Sequence, residues 1–336
     1  MSYRVFSAEN RMQFELQFFH HGRNSHPMSV LVIGLNPAVD EEWRVDSINW
    51  DEKTIVREKR SWAGGKPPNV GRWLRHLGVK STLLMPLGGA GGKLVANHLR
   101  REKVKLRIIP LCEETRTNVM VTQGKGKQLR FNPPGPVLSR NEWEQVFGEC
   151  EKELKRHKVM ICSGSLPAKA PTSTHAKLVR LARKHGVLPI LDCDGPALQR
   201  GVKAKPFLVK PNLFELAGWC GRRLNKRAGR IAAAREMSSM TGSWVMVSAD
   251  KSGALLVNER EKVLFIADAP KVNALNTVGA GDAMLAAVAR CISKDLAPDQ
   301  WLREGIAAGT AYVRMPAGEL PKASLISAMR MRVRVK

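Results

Sequence analysis

The chain has no C-x-x-C pair among its six cysteines and no H-E-x-x-H or paired-ligand pattern among its eight histidines. The first absence leaves Cys112, Cys150, Cys162, Cys193, Cys220 and Cys291 reading as reduced, partly buried thiols of a cytoplasmic protein. The second argues against a structural zinc site. No run approaches ~18 uncharged apolar residues, so nothing in the sequence predicts a membrane span. Acidic residues are also scarce: 30 Asp+Glu face 55 Lys+Arg over 336 residues, a formal charge of +25. What remains is 43% hydrophobic, 25% charged and 6% aromatic. That is the composition of a globular protein, not of a disordered chain, a collagen-like repeat or a disulfide mini-protein.

The positive charge predicts attraction to polyanions. It is densest at Arg222, Arg223, Lys226, Arg227, Arg230 and Arg235 and again in the tail at Arg330, Arg332, Arg334 and Lys336. No zinc finger, RNP-type aromatic motif or basic-region heptad accompanies it, which argues against a nucleic-acid partner. A solvated basic face, with a site handling anionic metabolites, accounts for the charge. The tail alternates basic residues with Met331, Val333 and Val335 and reads equally as an edge strand.

Residues 1–28 form an extension. Arg4, Glu9, Arg11, Glu15 and Arg23 interrupt its four phenylalanines, which argues against a cleaved signal peptide. Phe14 and Phe18 have i,i+4 spacing, as in a short packed helix, while Met28 directly before the first strand is an alternative start.

From there apolar strands alternate with helical segments. Val30–Leu35, Ser81–Pro86, Lys158–Cys162, Leu188–Asp192, Phe207–Val209 and Trp244–Ser248 read as buried strands. Asn69–Leu77, Pro171–His185 and Arg230–Met240 read as helices stopped by Gly78, Gly186 and Gly242. The alternation predicts a doubly wound α/β core with a mainly parallel sheet between helical layers. Two stretches depart from it. Asp40–Trp62 and Lys105–Phe131 alternate charged and apolar residues with period two, and predict inserted strands forming a small lid over the ligand crevice.

Three glycine clusters are candidates for phosphate chemistry. Gly88-Gly89-Ala90-Gly91-Gly92-Lys93 imitates a P-loop but lacks the G-x-x-x-x-G-K-[ST] spacing. Gly64-Gly65-Lys66-Pro67-Pro68-Asn69 ends at a helix start and is a moderate anion-site signal or a plain helix-entry turn. Asn276-Thr277-Val278-Gly279-Ala280-Gly281-Asp282 is the strongest. Gly-Ala-Gly at a helix N-terminus points successive N–H donors into one hollow, and Asp282 at its rim suits a base that takes a proton from an attacking hydroxyl.

These motifs, with Ser163-Gly164-Ser165-Leu166-Pro167 and Lys210-Pro211-Asn212…Glu215, resemble in order and spacing the phosphofructokinase B (ribokinase-like) sugar kinases. Leu35-Asn36-Pro37-Ala38-Val39-Asp40, Thr115-Arg116-Thr117-Asn118 and Arg130-Phe131-Asn132-Pro133-Pro134-Gly135-Pro136 are similar to the 1-phosphofructokinase and tagatose-6-phosphate kinase branch. The resemblance implies a ribokinase-like three-layer α/β/α kinase domain over 29–321, a basic tail over 322–336, and a homodimer through the lid. It implies ATP with Mg²⁺ and a phosphorylated hexose as substrate, with an unphosphorylated sugar, a nucleoside or a non-catalytic regulator as alternatives. Asp282 would be the general base, and Gly279, Ala280 and Gly281 the anion hole. Asp40, Gly64, Gly65, Lys66, Asn69 and Ser165 would hold the sugar, and Arg116 and Lys53 its phosphate. Lys210, Ser248, Gly253 and Thr277 would follow the nucleotide, with Asn212 and Glu215 organising magnesium and its waters. Three departures stand out: Pro67-Pro68 after Lys66, Asp250 where the family keeps glycine, and Ala287 for a helix glycine.

Overall fold

The computed structural model describes residues 29–124, 127–316 and 318–336, so the readings of the N-terminal extension lie outside the described residues. The chain opens with β1 (Ser29–Ile33) and crosses into β2 (Ala38–Val45) and β3 (Val56–Gly64). It returns through α1 (Lys66–His76), β4 (Lys80–Gly88), α2 (Gly89–Arg101) and β5 (Leu106–Leu111). The hairpin β6 (Thr117–Gln123) and β7 (Lys127–Phe131) follows, then α3 (Arg140–Leu154), β8 (Val159–Ser163), α4 (Thr174–Lys184), β9 (Leu188–Asp192) and α5 (Gly195–Val202). The last third runs β10 (Leu208–Val209), α6 (Leu213–Cys220), α7 (Arg227–Thr241), β11 (Trp244–Ser248), β12 (Ala254–Asn258), β13 (Val263–Ala267), α8 (Ala280–Ser293), α9 (Pro298–Tyr312) and α10 (Ala323–Arg332).

Nine strands form one sheet in the order β13-β12-β11-β10-β9-β8-β1-β4-β5. From β11 to β5 every pairing is parallel, and only β12 and β13 run antiparallel at one edge. Successive residues of β1 serve opposite cores. Val30 and Val32 join α1, α2, α8 and α9, whereas Leu31 and Ile33 join the layer of α3 to α7. A strand buried on both faces needs an unbroken apolar run, which is why SVLVI carries no alternation. Strand order reverses between β1 and β8, and ligand crevices of open α/β sheets form beyond the carboxyl ends of strands at such a point.

The lid is a four-stranded sheet, β3-β2-β6-β7, with β2 and β6 parallel and the outer pairs antiparallel. One expected lid segment divides. Residues 106–111 pair with β4 as the edge of the large sheet, and the lid begins only at Thr117. The apolar Ile108-Ile109 step packs in the core, which the charged flanks had obscured. The tail is likewise part of the body. α10 buries Ile326 and Met329, and Lys336 exchanges two backbone hydrogen bonds with Ile266 on β13. Two of its basic side chains also tie down on the surface: Arg330 pairs with Glu304, and the exposed Arg332 donates to the Lys271 carbonyl. Among the described residues, no helix is long and apolar enough to cross a membrane.

Candidate active site

α1 starts on Gly65, whose φ of +90° suits a residue without a side chain. Pro67 and Pro68 fall in the first turn, where backbone N–H groups have no intrahelical partner, so the two prolines cost the helix no hydrogen bond. Gly64 is required for another reason. A Cβ there would lie 2.0 Å from the Asp40 carboxyl carbon, so the lid carboxylate rests directly on this glycine. Asn118 on β6 donates to Asp40 at 2.7 Å, and burial raises the Asp40 pKa against the opposing pull of that hydrogen bond, the Gly65 N–H and the Arg116 and Arg130 charges.

α8 starts on Gly279, at φ +94°, so that Gly279, Ala280 and Gly281 form its first turn. Asp282 follows in that turn and is 5% exposed. Asn69 of α1 donates to its Oδ2 at 2.9 Å. Burial, reinforced by the nearby Asp192 carboxylate, lifts the Asp282 pKa to about 7, although Lys66, Asn69 and Lys210 pull it down. A carboxyl poised near neutrality is matched to taking a proton at physiological pH.

Beneath it lies a charge cluster. Asp192, at the carboxyl end of β9, is fully buried, accepts from Ser163 at 3.0 Å, and faces Lys210 at 3.1 Å and Lys66 at 3.3 Å. Lys66 also reaches Glu215 at 3.1 Å. Burial disfavours the Lys66 ammonium, but Asp192, Glu215 and Asp282 together raise its pKa strongly, so it stays charged. The Lys210 ammonium comes within 3.6 Å of where a Gly281 Cβ would be, at the N-terminus of α8.

Above this cluster lies one crevice of about 850 Å³ between the lid and the carboxyl ends of the sheet. At the lid end its wall includes Asp40, Gly65, Lys66 and Asn69, at its centre Lys210 and Gly279 to Asp282, and at the far end Asn212, Ser248, Gly253 and Thr277. Asp250 is there too, at φ +46°, beside Lys251. Gly253 is fixed by contact, since a Cβ would meet the Ala267 carbonyl at 2.0 Å.

Five expected residues are not on that wall. Gly64 lies against the Asp40 carboxylate, and Glu215 is turned to Lys66 and the start of α6. Lys53 is exposed in the loop between β2 and β3. Arg116 gives two N–H groups to backbone, Nη1 to the Pro133 carbonyl at 2.7 Å and Nη2 to that of Asn36 at 3.1 Å, while its buried Nε has no partner. Ser165 receives the Asn36 side-chain amide at 3.1 Å. The lid cation that does line the crevice is Arg130, which register places across the sheet on the same face as Met120. The expected magnesium pair is otherwise engaged. Asn212 Oδ1 accepts from the Glu215 N–H and Glu215 Oε2 from the Asn212 N–H, a capping box for α6, while Glu215 Oε1 takes Lys66. This donor set does not fit direct coordination of a cation. Among the described residues no group of three or more His, Cys, Asp or Glu is placed to hold a metal.

Two further wall residues carry no role in the motifs: Asn118, quoted there but not as the Asp40 partner, and Tyr312 at the end of α9. Asp192 had a legible signal, a carboxylate ending an otherwise apolar strand. Tyr312 had none. The Gly-rich 88–92 stretch is indeed no phosphate loop: the chain's own Glu114 occupies it, accepting from the Ala90 and Gly91 N–H groups at 3.1 and 2.5 Å.

The chain matches the profile of the pfkB family carbohydrate kinases over residues 30–321. It is 29% identical to 1-phosphofructokinase of Bacillus subtilis over 84% of this chain and 91% of that one. It is 28% identical to tagatose-6-phosphate kinase of Staphylococcus epidermidis, covering 83% and 90%. Among solved structures, phosphofructokinase-2 from Escherichia coli in complex with potassium superposes with a TM-score of 0.84 at 28% identity, over 90% of this chain and 98% of that one. With its crevice beyond the carboxyl ends of the strands and the family profile matched over 30–321, the chain belongs to the pfkB family of carbohydrate kinases, enzymes that move a phosphoryl group onto a hydroxyl.

Proposed function

We propose that the protein transfers the γ-phosphoryl group of ATP to a hydroxyl of a phosphorylated hexose of the fructose 1-phosphate, fructose 6-phosphate or tagatose 6-phosphate type. The observation that carries this reading is the buried Asp282 carboxyl, with its pKa near 7, set beside the Gly279–Gly281 turn and held by Asn69. Ionised Asp282 takes the proton from the attacking hydroxyl. The N–H groups of the first turn of α8 and the Lys210 ammonium face the charge gathering on the transferred group. Asp40, Gly65 and Asn69 orient the sugar, while Ser248, Gly253 and Thr277 follow the nucleotide. Magnesium, expected to arrive with the nucleotide, has no direct protein ligand in this scheme.

Arg130, facing the crevice from the lid, is better disposed to the substrate's phosphate than Arg116, which is engaged with backbone. Its planar fork suits phosphate oxygens. On the lid, Trp43, Val121 and Leu129 lie side by side across β2, β6 and β7, and this stripe supports a homodimer through the lid. The placement of Pro67 and Pro68 at the start of α1 removes one reason for a non-catalytic reading.

The test is ADP release with Mg-ATP against the three hexose phosphates and free fructose. The proposal expects turnover on one phosphosugar, and Arg130→Ala should raise KM for that sugar at least tenfold while leaving KM for ATP unchanged. Turnover on free fructose, indifferent to Arg130, would instead establish the unphosphorylated-sugar alternative.

A further inference from the structure

The anion-hole loop has little to hold it. Leu275 is 70% and Val278 43% exposed, and Thr277 is exposed between them. Its attachment is to the end of α9. The Val313 carbonyl accepts from the Leu275 and Asn276 N–H groups at 2.7 and 3.2 Å. The Asn276 side chain then closes a turn on itself, accepting from the Val278 N–H at 3.0 Å. The next residue is Gly279.

Tyr312 adjoins this loop and is 5% exposed. A Cβ on Gly279 would lie 3.0 Å from Tyr312 Cε1 and 3.1 Å from its oxygen, so the phenol ring packs flush against the α-carbon of the glycine that opens the anion hole. Burial raises the phenol's pKa, partly offset by Arg72 and by hydrogen bonding from the Gly318 backbone and the Asn276 side chain. On its other side the ring meets Trp73 of α1 edge-on, with centroids 5.8 Å apart. α1 also anchors the chain beyond α9, since Arg72 donates to the Gly318 carbonyl at 2.7 Å and His76 pairs with that of Pro321 at 2.8 Å. α1 is the helix whose Asn69 holds Asp282.

We propose that Tyr312 is a positioning residue for phosphoryl transfer, the wedge that sets the Gly279–Gly281 N–H groups in register with Asp282 by joining α1 to the 275–279 loop. This rests on the kinase reading above. The ring fills the space over a backbone at φ +94° that no side chain of its own could fill. Without it the loop keeps its two hydrogen bonds to Val313 but loses its floor, and Gly279 is free to shift. An error of about 1 Å in the placement of catalytic donors costs on the order of 10²-fold in rate. Ground-state binding of the sugar is spared, because Asp40, Gly65 and Asn69 lie outside this loop; Thr277, on the nucleotide side, moves with it.

The experiment compares Tyr312→Ala, which removes the ring, with Tyr312→Phe, which keeps it. Melting temperature serves as the check on folding. For Tyr312→Ala the expectation is a kcat loss of about 10²-fold with KM for the sugar within about threefold, together with faster amide exchange over residues 276–281. Tyr312→Phe should recover most of kcat and near wild-type exchange. A Tyr312→Ala enzyme with wild-type kcat, or one whose loss falls on KM for the sugar, overturns the proposal, and so does unchanged exchange at 276–281. Exchange is read without turnover. An inactive wild type would therefore defeat the kinase reading, and exchange would still decide whether Tyr312 holds the loop.

Discussion

Replacing Asp282 by Asn should slow turnover by about 10²–10⁴-fold and at the same time make the protein more stable. The carboxyl's pKa stands at about 7 instead of 3.8 because burial and Asp192 disfavour its charged form. A carboxyl whose folded-state pKa is raised binds its proton more tightly folded than unfolded. Stability is therefore highest below the unfolded pKa, falls as pH climbs from about 4 to about 7, and is level above. The displacement is about three pKa units, so the ionised group costs the fold about 4 kcal/mol at pH ~8, and about 1.5 kcal/mol at pH ~5 where it is mostly protonated. Asn has the shape of the protonated acid and keeps a partner for Asn69, so Asp282→Asn should recover that cost. For a chain of this size the gain corresponds to a melting temperature higher by about 8 °C at pH ~8, shrinking steadily toward pH ~4. Differential scanning calorimetry of both proteins across that range is the assay. An Asn variant no more stable than wild type at pH ~8, or a difference that does not vary with pH, would refute the assignment of Asp282 as a strained, desolvated carboxyl.

Two further perturbations probe the site's frame. Lys66→Met leaves Asp192 and Glu215 with one cation fewer and takes an attractive charge from Asp282; since the Lys66 side chain is 35% exposed, the expected loss is about 2–3 kcal/mol, below that of a fully buried pair. The rising limb of its pH–rate profile should move to higher pH, and a limb that stays put would remove Lys66 from the electrostatics of Asp282. Gly253→Ala would drive a Cβ to 2.0 Å from the Ala267 carbonyl at a φ of +84°, so its midpoint in urea should drop by the equivalent of about 3 kcal/mol or more; an unchanged midpoint would mean that the turn after β11 is not fixed by this contact.

Much of this was legible in the sequence for identifiable physical reasons. Strands buried on both faces need unbroken apolar runs, and β1, β4, β8, β9 and β11 were each readable as one. The Gly-Ala-Gly-Asp turn announced itself because positive φ and a rimming carboxylate leave few alternatives. β5 was misplaced into the lid because its Leu106–Leu111 stretch carries Arg107 and Pro110 at exposed positions, which imitate half-buried alternation. α3 was missed although Ser139 and Glu142 form a capping box at its start. Arg116 and Arg130 could not be separated by motif, because which guanidinium meets backbone and which meets the crevice depends on the path of Asn132–Pro134. Tyr312 was illegible for the same reason: its role lies in a contact with Gly279, thirty-three residues away in the chain.

The account rests on Asp282 as the base, and one experiment bears on it most directly: the rate of ADP formation with Mg-ATP and the preferred hexose phosphate, for wild type and Asp282→Asn, from about pH 5.5 to 8.5. The account predicts a wild-type rate that rises with an apparent pKa near 7 and a variant slower by about 10²–10⁴-fold with no such rise. A variant that keeps the wild-type rate, or a wild-type profile that is flat across neutrality, would contradict it.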